Sequence, residues 1–305
     1  MRVISYRHNE TPGVGVMIDD TGFVALSAVA PELPGDLRRI LEIDPSLDQV
    51  RAAAEGRLAN MSIDDIAFDP VIPEPHATWA LALNYTLHIE ETGLTTSNEY
   101  PQIFLRMPIC QVGHGEELWA PDLGIAEAYD YEGELAVIIG KPGRFIAREN
   151  AFDHVAGYAC YNEGSVREYQ SQNRQFGLGK NFERSGSFGP WLMTPDEFGD
   201  PADHTLTTRL NGIERQNAKI SGMLFDVPRL IEYLSEGYTL QPGDVIVSGS
   251  PGALPLRPGE TPEKPRGPVK VEGQLHMRVG DVCEVEIDGL GVLSNPVVTD
   301  PTPVP

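Results

Sequence analysis

Glu132 and Glu134 flank a glycine in the segment Asp130-Tyr-Glu-Gly-Glu134, and an apolar run, Leu135-Ala-Val-Ile-Ile139, leads directly on to Gly140. A run rich in β-branched residues and bounded by glycine predicts a strand. Side chains two apart on a strand share a face, so the two carboxylates point the same way. Like charges on one face repel unless a cation lies between them. A hard divalent ion answers that problem, because magnesium, manganese and calcium take carboxylate oxygens as ligands. The plainer reading is a solvated outer strand face. Asp130 is read as a loop residue ahead of the strand.

Four further segments carry polar residues beside apolar runs. In Asn84-Tyr-Thr-Leu-His88-Ile-Glu-Glu91, a helix would set His88 and Glu91 one turn apart. A histidine oriented by a carboxylate is a general-base arrangement suited to neutral pH; the alternative is a surface pair. After Val155–Tyr161, a predicted strand, comes Asn162-Glu163-Gly-Ser-Val-Arg167-Glu-Tyr-Gln170. Glu163 at the strand end is placed to complete a set of three carboxylates. Arg167 and Gln170 offer donors for a carboxylate, or else belong to an ordinary helix N-cap with a surface pair. Lys180 lies in Gly177-Leu-Gly-Lys-Asn-Phe, where an ammonium would neutralise oxyanion charge or simply meet solvent. Ser248-Gly-Ser250-Pro-Gly252 follows another predicted strand and would present hydroxyls and backbone N–H groups to an anion, or is only a turn.

The elements that must position these residues are short. Strands are expected at Arg2–Tyr6, Gly13–Ile18 and Phe23–Leu26, and helices at Asp36–Ile43 and Leu47–Glu55. A proline-marked linker, Val71-Ile-Pro-Glu-Pro75, separates a small N-terminal unit, 1–72, from the remainder, 73–305. Beyond it lie strands at Thr205–Leu210, Asp244–Val247, Val282–Ile287 and Gly291–Leu293, and a helix at Asp226–Tyr233. That order fits an α+β or mainly-β fold rather than alternating βαβ units. Six prolines in the eighteen residues of Pro251–Pro268 predict an extended loop, and the C-terminus should fray.

Composition excludes several functions. The 305 residues carry a net charge of −22, which argues against nucleic acid and anionic membranes as partners. An acidic protein binds an acidic small molecule only through a local cation. Cys110, Cys160 and Cys283 have neither metal nor disulfide spacing and read as reduced thiols. The N-terminus lacks the apolar core of a signal peptide, and no run reaches the length of a membrane span. A soluble, cytoplasmic protein is expected.

In this order the segments resemble the fumarylacetoacetate hydrolase family. The likeness covers about Pro73 to Val298. It runs through N-Y-x-x-H-x-x-E (Asn84 to Glu91), F-L-R (Phe104 to Arg106), E-x-E-L-A-V-I-I-G (Glu132 to Gly140) and A-G-Y…N-E-x-S-x-R-x-x-Q (Ala156 to Gln170). It continues through G-K-N-F, G-P-W, L-N-G and P-G-D-V-I-x-S-G-S-P to G-L-G-x-L-x-N (Gly289 to Asn295). The resemblance implies an α+β, mainly-β fold with a mixed β-roll core behind a small N-terminal α/β domain, assembled as a homodimer. It implies Mg2+, or Mn2+ or Ca2+, held by Glu132, Glu134 and Glu163. It further implies a 2-oxo acid substrate, positioned by Arg167, Gln170 and Ser250, with His88, Glu91 and Lys180 as catalytic groups. The leading expectation is hydrolysis of a C–C bond in a 2,4-dioxo acid of the acylpyruvate or fumarylpyruvate kind, by way of a metal enolate. Decarboxylase, hydratase or lyase chemistry on the same metal site is the alternative, and a catalytically silent metabolite-binding member is a third. The chain departs from the family pattern at Glu163 and Glu168, where aspartate is usual, at Ser248 and Ser250 for T-G-T-P, and at Arg106 for lysine.

Overall fold

The computed structural model describes residues 1–85, 99–121, 127–173, 175–260 and 275–302. The strand expected after the paired glutamates forms at Gly133–Ile139, and every residue in it is buried. Its two faces meet different cores. Ala136 and Ile138 pack with Leu37, Ile40 and Leu41 of the helix Leu37–Ile43 and with Val50 of the helix Asp48–Ala54. Leu135, Val137 and Ile139 pack with Leu206, Val285 and Ile287 of a second sheet and with Leu230, Ile231 and Leu234 of the helix Val227–Gly237. A strand covered on both faces has no reason to alternate, which explains the continuous apolar run.

This strand sits within a mixed 12-stranded sheet. It pairs antiparallel with Val155–Asn162 on one side and with Val245–Val247 on the other. Val245–Val247 runs parallel to Thr78–Ala82, which pairs with the edge strand Gln102–Arg106. On the far side, Gly186–Met193 links Val155–Asn162 to Arg2–His8. The segment before residue 73 therefore shares a sheet and a core with the rest, and the boundary after residue 72 stands as a proposal about folding units. A 5-stranded sheet runs in the order Ile213–Lys219, Thr205–Leu210, Val282–Ile287, Gly291–Thr299, Leu118–Ala120. The fold is α+β and mainly β.

The expected elements are present with shifted ends. Thr11–Met17 and Gly22–Ala25 form the second and third strands, the helix expected at Asp226–Tyr233 continues to Gly237, and the last strand extends to Thr299. Asp226 caps the long helix, its side chain accepting from Arg229 N at 2.9 Å, and Pro228 occupies its first turn. The proline-rich loop is irregular where described. Its Glu260 accepts from both terminal nitrogens of Arg215, at 2.9 and 2.8 Å. A two-stranded ladder, Tyr129–Asp130 against Ser165–Val166, lies beside the sheet and brings two distant stretches of polar sequence together.

Candidate active site

That ladder begins the site. Asp130 stands opposite Ser165, and just beyond it Glu163 N donates to Glu132 O at 2.8 Å, so the backbone itself ties two of the expected ligands together. Asn162 Oδ1 accepts from Glu132 N at 3.2 Å. Gly133, between the paired glutamates, must be glycine: a Cβ there would lie 2.0 Å from Thr208 Oγ1. Its N–H donates to Gln216 Oε1 at 2.9 Å, which ties the start of the strand to the second sheet.

One oxygen each from Glu132, Glu134 and Glu163 comes within 4.8 Å of the others, and all three side chains are buried. Lys180 Nζ donates to Glu132 Oε2 and, at 2.6 Å, to Glu163 Oε2. Ser165 Oγ donates to Glu132 Oε2 at 3.0 Å, and Arg167 Nη2 to Glu132 Oε1 at 2.8 Å. Glu134 Oε2 accepts from Gly249 N at 2.5 Å, a contact that the left-handed φ of +90° at Gly249 presents to it.

The three carboxyls differ in charge balance. Burial alone would raise Glu132, but Arg167 and Lys180 outweigh it and hold that carboxyl well below the usual range. Glu134 is pushed well above the range by burial and then by the charges of Glu163 and Glu132. Burial also raises Glu163, with Lys180 and Arg106 opposing. Lys180, Arg167 and Arg106 answer Glu132, Glu163 and Asp130, but no cation makes an ion pair with Glu134 among the described residues, and an all-oxygen donor set suits a hard divalent ion. These side chains fit such a metal.

The pocket in front of the triad has Arg167, Gln170, Lys180 and Ser250 on its polar side and Leu81, Leu83 and Phe176 on its apolar side. Leu83 and Phe176 hold left-handed backbones, φ 56° and 61°, a strain that concentrates at functional sites. Arg167 is less free than its expected substrate role suggests. It donates through Nε to Asp130 Oδ2 at 2.7 Å, through Nη1 to Gln170 Oε1 at 2.7 Å, and through Nη2 to Glu132. Ser250 Oγ accepts from Gln216 Nε2 at 2.7 Å, so one glutamine braces both Gly133 and the serine loop. His88 and Glu91 lie outside the described residues. Asn84, at the start of their motif, donates to Phe225 O at 3.0 Å and Ser248 O at 2.7 Å, anchoring the chain at the pocket rim.

One sequence reading is corrected. Asp130 is no loop residue but a fully buried member of the ladder, and it receives Arg167. Its even spacing from Glu132 and Glu134 was the available signal. Gln216 has no such signal, since it arrives from the other sheet. Glu168, the other carboxylate at an aspartate position, accepts from Glu127 N at 2.9 Å and Ala128 N at 3.0 Å, a backbone anchor away from the triad.

Residues 77–298 match the model of the fumarylacetoacetate (FAA) hydrolase C-terminal family. The chain is 33% identical over 301 residues to an oxaloacetate tautomerase of Bacillus subtilis, covering 93% of this chain and 95% of that protein. It is 32% identical over 304 residues to a mitochondrial oxaloacetate tautomerase of Xenopus laevis, covering 98% and 90%. A 2,4-didehydro-3-deoxy-L-rhamnonate hydrolase of a Sphingomonas species is 32% identical over 291 residues, covering 93% and 91%. Among solved structures, a maleylpyruvate hydrolase of Sphingobium sp. SYK-6, in complex with manganese and pyruvate, superposes with a TM-score of 0.77 at 26% identity over 98% of this chain and 99% of that one. By motif order, fold and sequence, the chain belongs to the fumarylacetoacetate hydrolase family.

Proposed function

We propose that the protein is a divalent-metal-dependent enzyme that moves a proton between carbon 3 and the 2-oxo oxygen of a 2-oxo diacid, interconverting the keto and enol forms of a compound such as oxaloacetate. The observation that carries this reading is the triad Glu132, Glu134 and Glu163 facing a pocket, with Lys180 between two of its members. The names of the two tautomerase relatives, each matching the chain nearly end to end, support the choice of reaction. A bound Mg2+ or Mn2+ would supply Lewis-acid polarisation of the 2-oxo group.

The chain's own residues do the rest. Arg167 locks Glu132 and, by occupying Gln170 Oε1, leaves the Gln170 amide N–H groups to the substrate carboxylate. Ser250, braced by Gln216, adds a hydroxyl from the opposite side. Lys180 keeps positive charge beside the position where enolate charge develops. His88, oriented by Glu91, takes the proton from carbon 3 and returns one to oxygen, so no further reactant is consumed.

C–C hydrolysis of a 2,4-dioxo acid is the second reading, favoured by the rhamnonate-type hydrolase among the relatives. There His88 takes a proton from water as it attacks the distal carbonyl. The C3–C4 bond then breaks to release a carboxylic acid and the enol of the shorter 2-oxo acid. Oxaloacetate, an acylpyruvate and fumarylpyruvate, each with Mg2+ and with Mn2+, separate the two. Enol conversion without cleavage supports the tautomerase, and release of pyruvate from an acylpyruvate sinks it. Loss of CO2 or addition of water would point to the decarboxylase or hydratase alternatives, and Mn2+ uptake without any turnover to a silent binding protein.

In either reaction His88→Ala should lower turnover by about 10²–10⁴-fold, the usual contribution of one general base. Titration should still give unchanged Mn2+ uptake, and retained turnover would remove His88 from the mechanism. The homodimer implied by the family resemblance is checked by light scattering, which should give twice the 33.4 kDa chain mass. No helix among the described residues is long and apolar enough to cross a membrane. The frog relative is named mitochondrial, so the cytoplasmic location is a proposal for cell fractionation.

A further inference from the structure

Beside Glu163, and outside the residues that line the pocket, lies a buried cation that the mechanism above does not use. Arg106 closes the edge strand Gln102–Arg106, and its side chain is 0% exposed. Nη1 donates to Gly164 O at 2.9 Å, which places the guanidinium against the peptide next to Glu163. Nε stands 3.9 Å from Glu163 Oε1. Among the described residues, Arg106 Nε, Arg106 Nη2 and Glu163 Oε1 have no partner at hydrogen-bond geometry, and the Tyr161 hydroxyl lies close enough to interact with the guanidinium. The space is closed around them: a Cβ on Gly186 would lie 2.7 Å from Arg106 Nη2 and 2.6 Å from Asn162 O. A buried guanidinium keeps its charge, and a buried carboxylate with an unmet oxygen is costly unless a cation answers it.

Glu163 thus stands between two cations, with Oε2 hydrogen-bonded to Lys180 and Oε1 facing Arg106 across 3.9 Å. We propose that Arg106 is a positioning residue for the metal centre, and that its guanidinium fixes the Glu163 carboxylate so that a glutamate serves as the third ligand. The inference rests on the metal reading given above. A glutamate has one more rotatable bond than an aspartate, so its oxygens sweep a larger volume and lose more freedom on binding an ion. A fixed cation behind the carboxylate removes that freedom before the ion arrives. Lysine at the same place would offer a point charge in place of the planar fork.

The sign of the effect separates positioning from charge. By Coulomb's law alone, removing a cation near a metal site tightens cation binding; losing a positioning group weakens it. The test is calorimetric titration of the full-length protein with Mn2+ alone, for wild type, Arg106→Met, Glu163→Asp and the double variant, each first checked for a folded melting transition. Arg106→Met should weaken Mn2+ binding about tenfold or more, the usual range for a group that orients a metal ligand. In the Glu163→Asp background the same change should alter affinity less than threefold, because the shorter carboxylate withdraws from the guanidinium. Equal losses in both backgrounds, or binding by Arg106→Met within twofold of wild type, would overturn the proposal. Should Arg106→Met not fold, Arg106→Lys takes its place, with a smaller loss expected that Glu163→Asp again removes; equal losses again overturn it. Wild-type protein that takes up no Mn2+ would sink the metal reading itself, whereas wild-type binding with unaffected variants sinks only the role of Arg106.

Discussion

Metal-free Glu134→Gln protein should melt at a higher temperature than metal-free wild type at neutral pH, yet lose both the stabilisation that Mn2+ gives wild type and its turnover. The folded-state pKa of Glu134 is raised by burial and by its two carboxylate neighbours. A carboxyl raised in this way contributes stability that is fully present below its unfolded pKa and is lost as pH rises through the folded value. At neutral pH the wild-type chain has lost that contribution or holds a proton in the cluster, while the glutamine of the variant is neutral throughout and its amide oxygen can still accept from Gly249 N. The gap between the two proteins should therefore open as pH rises above the ordinary carboxylate range and close in acid. Mn2+ reverses the ranking, since an ion at one hundred times its dissociation constant stabilises the folded state by about 2.7 kcal/mol. Calorimetric melts with chelator and with Mn2+, across pH, make the measurement. A Glu134→Gln variant that melts below wild type without metal, or is still stabilised by Mn2+, would refute the repulsion argument. Glu132 carries the opposite sign. Its carboxyl is held low by Arg167 and Lys180 against the effect of burial, so its contribution is present at neutral pH and lost as pH falls through its folded value.

Arg167→Met should destabilise the protein by about 3–5 kcal/mol, the cost of removing one partner from a buried ion pair. Arg167 joins Asp130, which is fully buried, to Glu132 and Gln170. Without it Asp130 has lost the guanidinium on its Oδ2 and Glu132 one of two cations. Urea unfolding reads the loss, and adding Asp130→Asn should recover part of it by removing one stranded charge. A loss below about 1 kcal/mol, within the range of exposed pairs, would mean that the network is screened and that Arg167 is available to substrate after all.

Much of the site was legible in the sequence because its signals are local. Glu134 heads a run whose continuous apolar character requires cover on both faces, and the sheet supplies it. Glu163 follows a strand end, and antiparallel pairing of that strand with Gly133–Ile139 brings it beside Glu132. Arg167 and Gln170, three apart, meet through a side-chain hydrogen bond of 2.7 Å. Their targets were not legible. The pair was expected to offer donors to a carboxylate, and beside lining the pocket Arg167 reaches Asp130 and Glu132, 37 and 35 positions away.

The amino-acid sequence by itself determined about half of the strands, the longer helices, and the order of three acids whose chemistry calls for a hard cation. Only the tertiary structure decided what each charge answers. Lys180 reaches Glu132 across 48 positions, Gln216 reaches Gly133 across 83, and Gly249 reaches Glu134 across 115. Periodicity records which face of one element is buried, but not which element will cover it. The partners of Asp130, Glu163 and Arg106 depend on the packing of two sheets and a ladder.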